Sequence, residues 1–111
     1  MNKPEYKKYY YKSGELEYEV WYLNDKHHRT DGPAFIGYYK SGKLEYEEWY
    51  LNDKLHRIDG PAFIDFYESG ELGCEAWYLN GKRLSKEEFI SSYEHQGYLA
   101  DLEIDKILES R

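Results

Sequence analysis

Residues 38–54 read YYKSGKLEYEEWYLNDK, and nearly the same string stands 28 residues to either side, as YYKSGELEYEVWYLNDK over 10–26 and FYESGELGCEAWYLNGK over 66–82. Trp21, Trp49 and Trp77 mark the period. Around them Ser13-Gly14 recurs as Ser41-Gly42 and Ser69-Gly70, and His28-Arg29 recurs as His56-Arg57. Asp31-Gly32-Pro33-Ala34 likewise returns as Asp59-Gly60-Pro61-Ala62. Units of a repeat bury their apolar surface against one another rather than within themselves. Residues 1–84 are therefore expected to form one three-unit repeat, with 85–111 as a separate C-terminal segment of the same domain.

Each unit predicts two strands. The first starts at the proline, as in PAFIGYYK, and ends at Ser-Gly, where glycine permits the positive φ of a tight turn. The second, LEYEEWYL, carries the aromatic and β-branched types that suit a pleated surface. It stops at Asn52-Asp53 or Asn80-Gly81, which are turn dipeptides. The expectation is a mainly β fold of six strands, at about 5–12, 16–23, 33–40, 44–51, 61–68 and 72–79, in an antiparallel meander. NDKLHRIDG reads as a longer loop to the next unit.

Alternation with period 2 sorts the side chains between faces. One face is expected to hold Leu16, Tyr18, Val20, Tyr22, Ile36, Tyr38, Leu44, Tyr46 and Tyr50. The other should hold a structural ladder of Trp21, Trp49, Trp77, Phe35 and Phe63, together with Glu17, Glu19, Glu45, Glu47 and Glu75. After the third unit, Ser85 followed by Glu88 predicts a capping box and a helix carrying Phe89, Ile90 and Tyr93 on one stripe. Gly97 is expected to end it, with a second helix beyond. In the third unit Cys74, Ala76 and Phe66 replace the larger or more polar Tyr46, Glu48 and Tyr38, so the helices are expected to cap the sheet on that face. Tyr18, Tyr22, Tyr38, Tyr46, Tyr50 and Glu48 would then remain as an open, acid-rimmed, Tyr-rich surface and form the candidate partner-binding site.

The formal charge is −7, with 12 Lys or Arg against 15 Asp or Glu in residues 1–84 and 3 against 7 in 85–111. Such a chain is repelled by nucleic acid and anionic membranes, so no nucleic-acid partner is expected. The basic cluster Lys3, Lys7, Lys8 and Lys12 reads as protection of an edge strand. A lone cysteine, no apolar membrane span and no signal-like N-terminus point to a cytoplasmic protein.

The loop His28-Arg29-Thr30-Asp31 and its copy His56-Arg57-Ile58-Asp59 place an imidazole near a carboxylate, as acid–base or metal chemistry would require. A loop that recurs must also solve one local problem each time, and Asp before Gly caps turns. The structural reading of His28, Arg29, Asp31, His56, Arg57 and Asp59 is preferred, with Arg pairing to a carboxylate or stacking on an aromatic ring. No nucleophile–base set, metal set or phosphate-cradling glycine loop is visible, so no enzyme activity, metal or cofactor is expected.

YYKSGKLEYEEWYLNDK with its later DGPA resembles the MORN-repeat class in its variant form, over roughly residues 9–82. Gly-x-Leu, Tyr-Leu-Asn and Gly-Pro carry the resemblance, whereas the inserted His-Arg-x-Asp-Gly-Pro loop lengthens the usual period. The variant is similar to repeats in viral, phage and antitoxin-component proteins. The resemblance implies a twisted row of β-hairpins that serves protein–protein or protein–membrane contact, and it transfers no catalytic residue. The leading expectation is a small inhibitor or antitoxin-like protein that occludes a partner with a basic surface, encoded by a phage or mobile element against a host defence enzyme. The alternatives are a homodimeric assembly module joined through the N-terminal edge strand, and a ligand-binding or catalytic use of the His/Asp loops.

Overall fold

The computed structural model describes residues 3–110. Ten strands and two helices follow in order: β1 Pro4–Tyr10, β2 Leu16–Leu23, β3 Lys26–His27, β4 Phe35–Tyr38, β5 Leu44–Glu48, β6 Tyr50–Leu51, β7 Lys54–Leu55, β8 Phe63–Phe66, β9 Leu72–Leu79, β10 Lys82–Leu84, α1 Lys86–Ile90 and α2 Tyr93–Glu109. The protein is mainly β, an antiparallel meander in the order β1-β2-β4-β5-β8-β9-β10, with β3 beside β2 and β6 paired to β7. The loop expected over NDKLHRIDG instead begins as a hairpin return. Asn24 and Asp25 have φ of 52° and 64°, and Asn52 and Asp53 repeat this at 49° and 66°. Two positive φ values in sequence make the tight turn whose twist matches the flanking strands. The chain therefore doubles back at once into β3, β7 and β10.

The other turn is the Ser-Gly hairpin. Gly14 N–H donates to Tyr11 O at 2.9 Å, and Gly14, Gly42 and Gly70 take φ of 104°, 90° and 94°. That three-residue loop puts the strands out of step. Register shifts fall between Tyr9 and Tyr10, Gly37 and Tyr38, and Asp65 and Phe66, leaving Glu17, Glu45 and Gly73 without a direct partner. A β-bulge of this kind resets the alternation of everything beyond it.

The two faces consequently differ from those expected. Val20 lies opposite Phe35, Tyr18 opposite Gly37, and Glu48 opposite Phe63. Directly opposed residues share a face. Phe35 and Phe63 thus belong with Tyr18, Tyr22 and Tyr46, not with the tryptophans. Glu19 lies opposite Ile36, and Leu44 opposite Tyr38. Ile36, Tyr38, Leu16 and Leu44 accordingly share the tryptophan face. The single alternation assumed along each unit fails at the bulge.

No second layer covers most of this sheet. The buried apolar residues are Val20, Ala34, Ala62, Ala76, Leu79 and Phe89, while the large aromatics of the sheet are half-buried or, like Tyr6, Tyr9, Tyr10 and Tyr67, exposed. The radius of gyration is 16.2 Å, against about 13 Å for a compact domain of similar length. At the C-terminal end the capping box forms as expected, with Ser85 and Glu88 exchanging hydrogen bonds. Phe89 is buried there, but Ile90 and Tyr93 are exposed, so they share no buried stripe with it. The helix ends at Ser91, and Ser92 caps a new one whose His95 N–H it accepts at 3.2 Å. Gly97 lies inside α2 and does not end a helix.

Two glycines test the packing in opposite directions. A Cβ on Gly37 would stand 2.3 Å from the Tyr46 ring, whereas one on Gly97 would meet nothing within 4 Å. Gly37→Ala is expected to lower stability by about 1–3 kcal/mol, and Gly97→Ala to raise it by about 0.5–1 kcal/mol. Thermal melts followed by near-UV circular dichroism check both signs.

Candidate functional site

The His-Arg loops are built by the same contacts twice. The Arg29 guanidinium carbon lies 3.9 Å from the Trp21 ring centre, and Arg57 lies 3.9 Å from that of Trp49. Arg29 Nε donates to Asp31 Oδ1 at 3.0 Å and Arg57 Nε to Asp59 Oδ1 at 2.7 Å. One Nη1 of each reaches its own proline carbonyl, Pro33 or Pro61, at 3.1 Å. Gly32 and Gly60 also lie close to the guanidinium, where a Cβ would stand 2.7 Å and 3.1 Å from the Arg Cζ atoms. Each arginine is thus packed close to both an indole and a glycine. The tryptophans stack on arginine rather than on one another; the third, Trp77, has Lys86 above it at 5.8 Å.

The same loops join one unit to the next. Arg29 N–H donates to Tyr50 O at 3.1 Å and Arg57 N–H to Tyr78 O at 3.2 Å. His28 Nδ1 accepts from Asn52 N–H at 3.1 Å, and His56 Nδ1 accepts from Asn80 N–H at 2.9 Å. An imidazole nitrogen that accepts a backbone N–H must be unprotonated, which places the ring proton on Nε2. Asp53 Oδ1 accepts from His27 N–H at 2.6 Å and lies 3.1 Å from its Nδ1. His28, Arg29, Asp31, His56, Arg57 and Asp59 therefore make structural contacts in every case. Among the described residues, no group of three or more His, Cys, Asp or Glu is placed to hold a metal ion.

The opposite surface of the sheet has a different character. Rings run across the strands in near-parallel stacks: Tyr9 to Tyr18 at 4.6 Å, Tyr18 to Phe35 at 5.0 Å and Phe35 to Tyr46 at 5.6 Å. Beside them Tyr22 and Tyr50 flank the His27 ring at 5.0 and 5.2 Å. At the end of this ribbon a hollow of about 450 Å³ is lined by Tyr39, Glu45, Tyr46, Glu48, Phe63, Asp65, Phe66 and Tyr67. The Tyr46 hydroxyl is pushed up to about 12 by desolvation, then by the charges of Glu48, Glu45 and Glu17. Tyr50 is raised by desolvation and by its hydrogen bond to Glu48. These phenols stay neutral well above neutral pH.

Of the candidate site residues, the structure brings Tyr18, Tyr22, Tyr46, Tyr50 and Glu48 onto one face. Tyr38 is on the other, where its hydroxyl and that of Tyr6 both donate to Glu19. Desolvation opposes ionisation of Glu19, but these two hydrogen bonds outweigh it and hold the carboxyl below its ordinary value. Tyr9, Glu45 and Asp65 also line this surface, and Phe35 and Phe63 stand here rather than in the tryptophan ladder. The signal lay in the Ser-Gly loop, whose length implies a bulge before Glu17 and Glu45 are assigned to a face.

The helices leave this face open. Cys74 is exposed. Instead, His95 lies 2.8 Å from Ile58 O, and Tyr98 closes a hollow with Trp49, His56 and Arg57. The helical segment therefore meets the tryptophan–arginine side, not the Cys74 face expected for it. No helix among the described residues is long and apolar enough to cross a membrane. The chain matches no protein-family model, no curated protein and no solved structure.

Burial holds His56 below its ordinary value of 6.5. The unfolded chain therefore takes up a proton first as pH falls, so the contribution of the neutral ring is complete above 6.5 and declines below it. Melting temperature is expected to fall between neutral pH and about 5.5, and less steeply in His56→Asn, whose Oδ1 accepts from Asn80 at any pH. Arg57→Lys is expected to cost about 1–2 kcal/mol, because an ammonium reproduces neither the fork nor the stack. Denaturant titration measures that loss.

Proposed function

We propose that this protein is a non-enzymatic binding module that occludes a basic surface of a protein partner with its aromatic face. The single observation behind this reading is the hollow in which Tyr46 and Phe63 stand among Glu45, Glu48 and Asp65. Neutral aromatic walls with carboxylates suit a lysine or arginine side chain, which gains cation–π and charge-assisted contacts together. The ribbon from Tyr9 to Tyr46 extends that contact with rigid rings that lose little freedom on binding. The net charge of −7 adds long-range attraction toward a basic partner. The row of hairpins is the build that the MORN-repeat resemblance implies, and it supports an inhibitor or antitoxin-like role in which area and charge, rather than chemistry, do the blocking.

The test compares capture from native extract by wild type, Tyr18→Ser/Tyr46→Ser and Glu45→Lys/Glu48→Lys, each first shown to melt cooperatively. The expected result is one basic protein held in near-stoichiometric amount by wild type and released by high salt. Both variants should bind it about 30-fold more weakly or worse, as loss of a central aromatic anchor does. Equal capture by all three, or none by any, rejects the aromatic face as the binding site.

A further inference from the structure

We propose that the outward side of α2 is a second docking surface, for a basic amphipathic helix of a partner protein. No residue of α2 is buried, although it carries several large aliphatic side chains. His95 and Tyr98 face the body of the protein, through the Ile58 carbonyl and the hollow with Trp49. At 100° per residue, Leu99 and Leu102 fall beside them and are 42% and 38% exposed. Tyr93, Ile104, Ile107 and Leu108 fall on the opposite side, at 90%, 54%, 54% and 57%.

This outer side has the spacing of a helix-packing seam. Gly97, Ala100, Ile104 and Ile107 alternate by three and four residues, the pattern that keeps one stripe against a facing helix. The small residues leave the N-terminal half shallow, and a Cβ on Gly97 would meet nothing. A partner side chain can therefore approach the helix backbone there, while Ile104 and Ile107 supply the apolar grip.

Charge selects the occupant. α2 carries Glu94, Asp101, Glu103, Asp105 and Glu109, against Lys106 as its one Lys or Arg. Asp101 and Glu103 flank the stripe in the positions that meet a facing helix. In an antiparallel pair with a second copy, each would face its own counterpart, and like charges there repel. A partner helix with Lys or Arg beside its apolar stripe meets opposite charge instead, in the helix-against-helix mode common to peptide recognition. One helix face buries less than the roughly 1,200 Å² of a stable interface, so the contact is expected to be weak and fast, or to act alongside the aromatic face.

The experiment uses the full chain and two synthetic helical peptides with the same leucine stripe, one flanked by lysines and the other by glutamates. Fluorescence anisotropy is expected to show micromolar binding of the lysine peptide and none of the glutamate peptide. Ile104→Ser/Ile107→Ser, which alters no charge, should weaken binding about tenfold or more. Glu71→Gln, in the last Ser-Gly turn and outside both surfaces, should leave it within about twofold. Equal binding of both peptides, or indifference to the isoleucine change, overturns the proposal. So does a concentration-dependent dimer in sedimentation that the isoleucine variant abolishes, which assigns the stripe to a second copy. Binding to zwitterionic vesicles that the same variant abolishes assigns it to lipid and also overturns the proposal.

Discussion

A guanidinium held close over an indole, with a glycine close beside it, is the contact on which this structure depends. The sheet has no covering layer over most of its area, so no central core holds the units together. What joins them is the pairing of β2 with β4 and of β5 with β8, together with the loop that leaves each second strand, crosses to the next unit and is held down there. Arg29 and Arg57 fix that loop internally through Trp, Asp and a proline carbonyl, while their own backbone N–H groups bond to the next unit at Tyr50 and Tyr78. Tyr11 and Tyr39 make a further stitch at the other end of the strands, donating to Tyr38 O at 2.6 Å and Phe66 O at 2.7 Å. Stability in such an array is close to a sum of neighbour terms.

This division of labour leaves one face free. The tryptophan side carries the loops, the arginines and the first turns of α2. The tyrosine side carries rings stacked on one another across strands, with carboxylates between them. Stacking of this kind keeps the rings rigid without a second layer, at a spacing favourable for aromatic pairs. The third unit breaks the pattern: Asp65 and Cys74 stand where the second has Gly37 and Tyr46, and the aromatic ribbon ends at the hollow. A repeating scaffold thereby acquires one position unlike the others.

Much of the fold was legible because it depends on short-range chemistry. The 28-residue period, the Ser-Gly turns, the first and last second-strand boundaries and the Ser85–Glu88 box each follow from residues a few positions apart. That Arg29 would pair with a carboxylate or stack on an aromatic ring was legible for the same reason, since a motif repeated in place points to a repeated local contact. The face assignment was less so. It placed Tyr18, Tyr22, Tyr46, Tyr50 and Glu48 together but carried Tyr38 with them and put Phe35 and Phe63 with the tryptophans. A single bulge reverses the parity of a strand pair, and its position depends on how two strands are joined. The break at Ser91-Ser92, and the continuation of α2 through Gly97, escaped notice because a lone glycine weakens a helix by only about 1 kcal/mol.

By itself, then, the sequence determined that this is a three-unit β-hairpin repeat with a helical end, because turns, caps and period act within a few residues. Only the tertiary structure decided which rings face the same way, how each unit is tied to the next, and which side the helices meet. Those outcomes rest on strand register and on contacts between units, where the partners stand about fifteen residues or more apart in the chain. Local preference is indifferent to such pairs; the geometry that joins one unit to the next selects them.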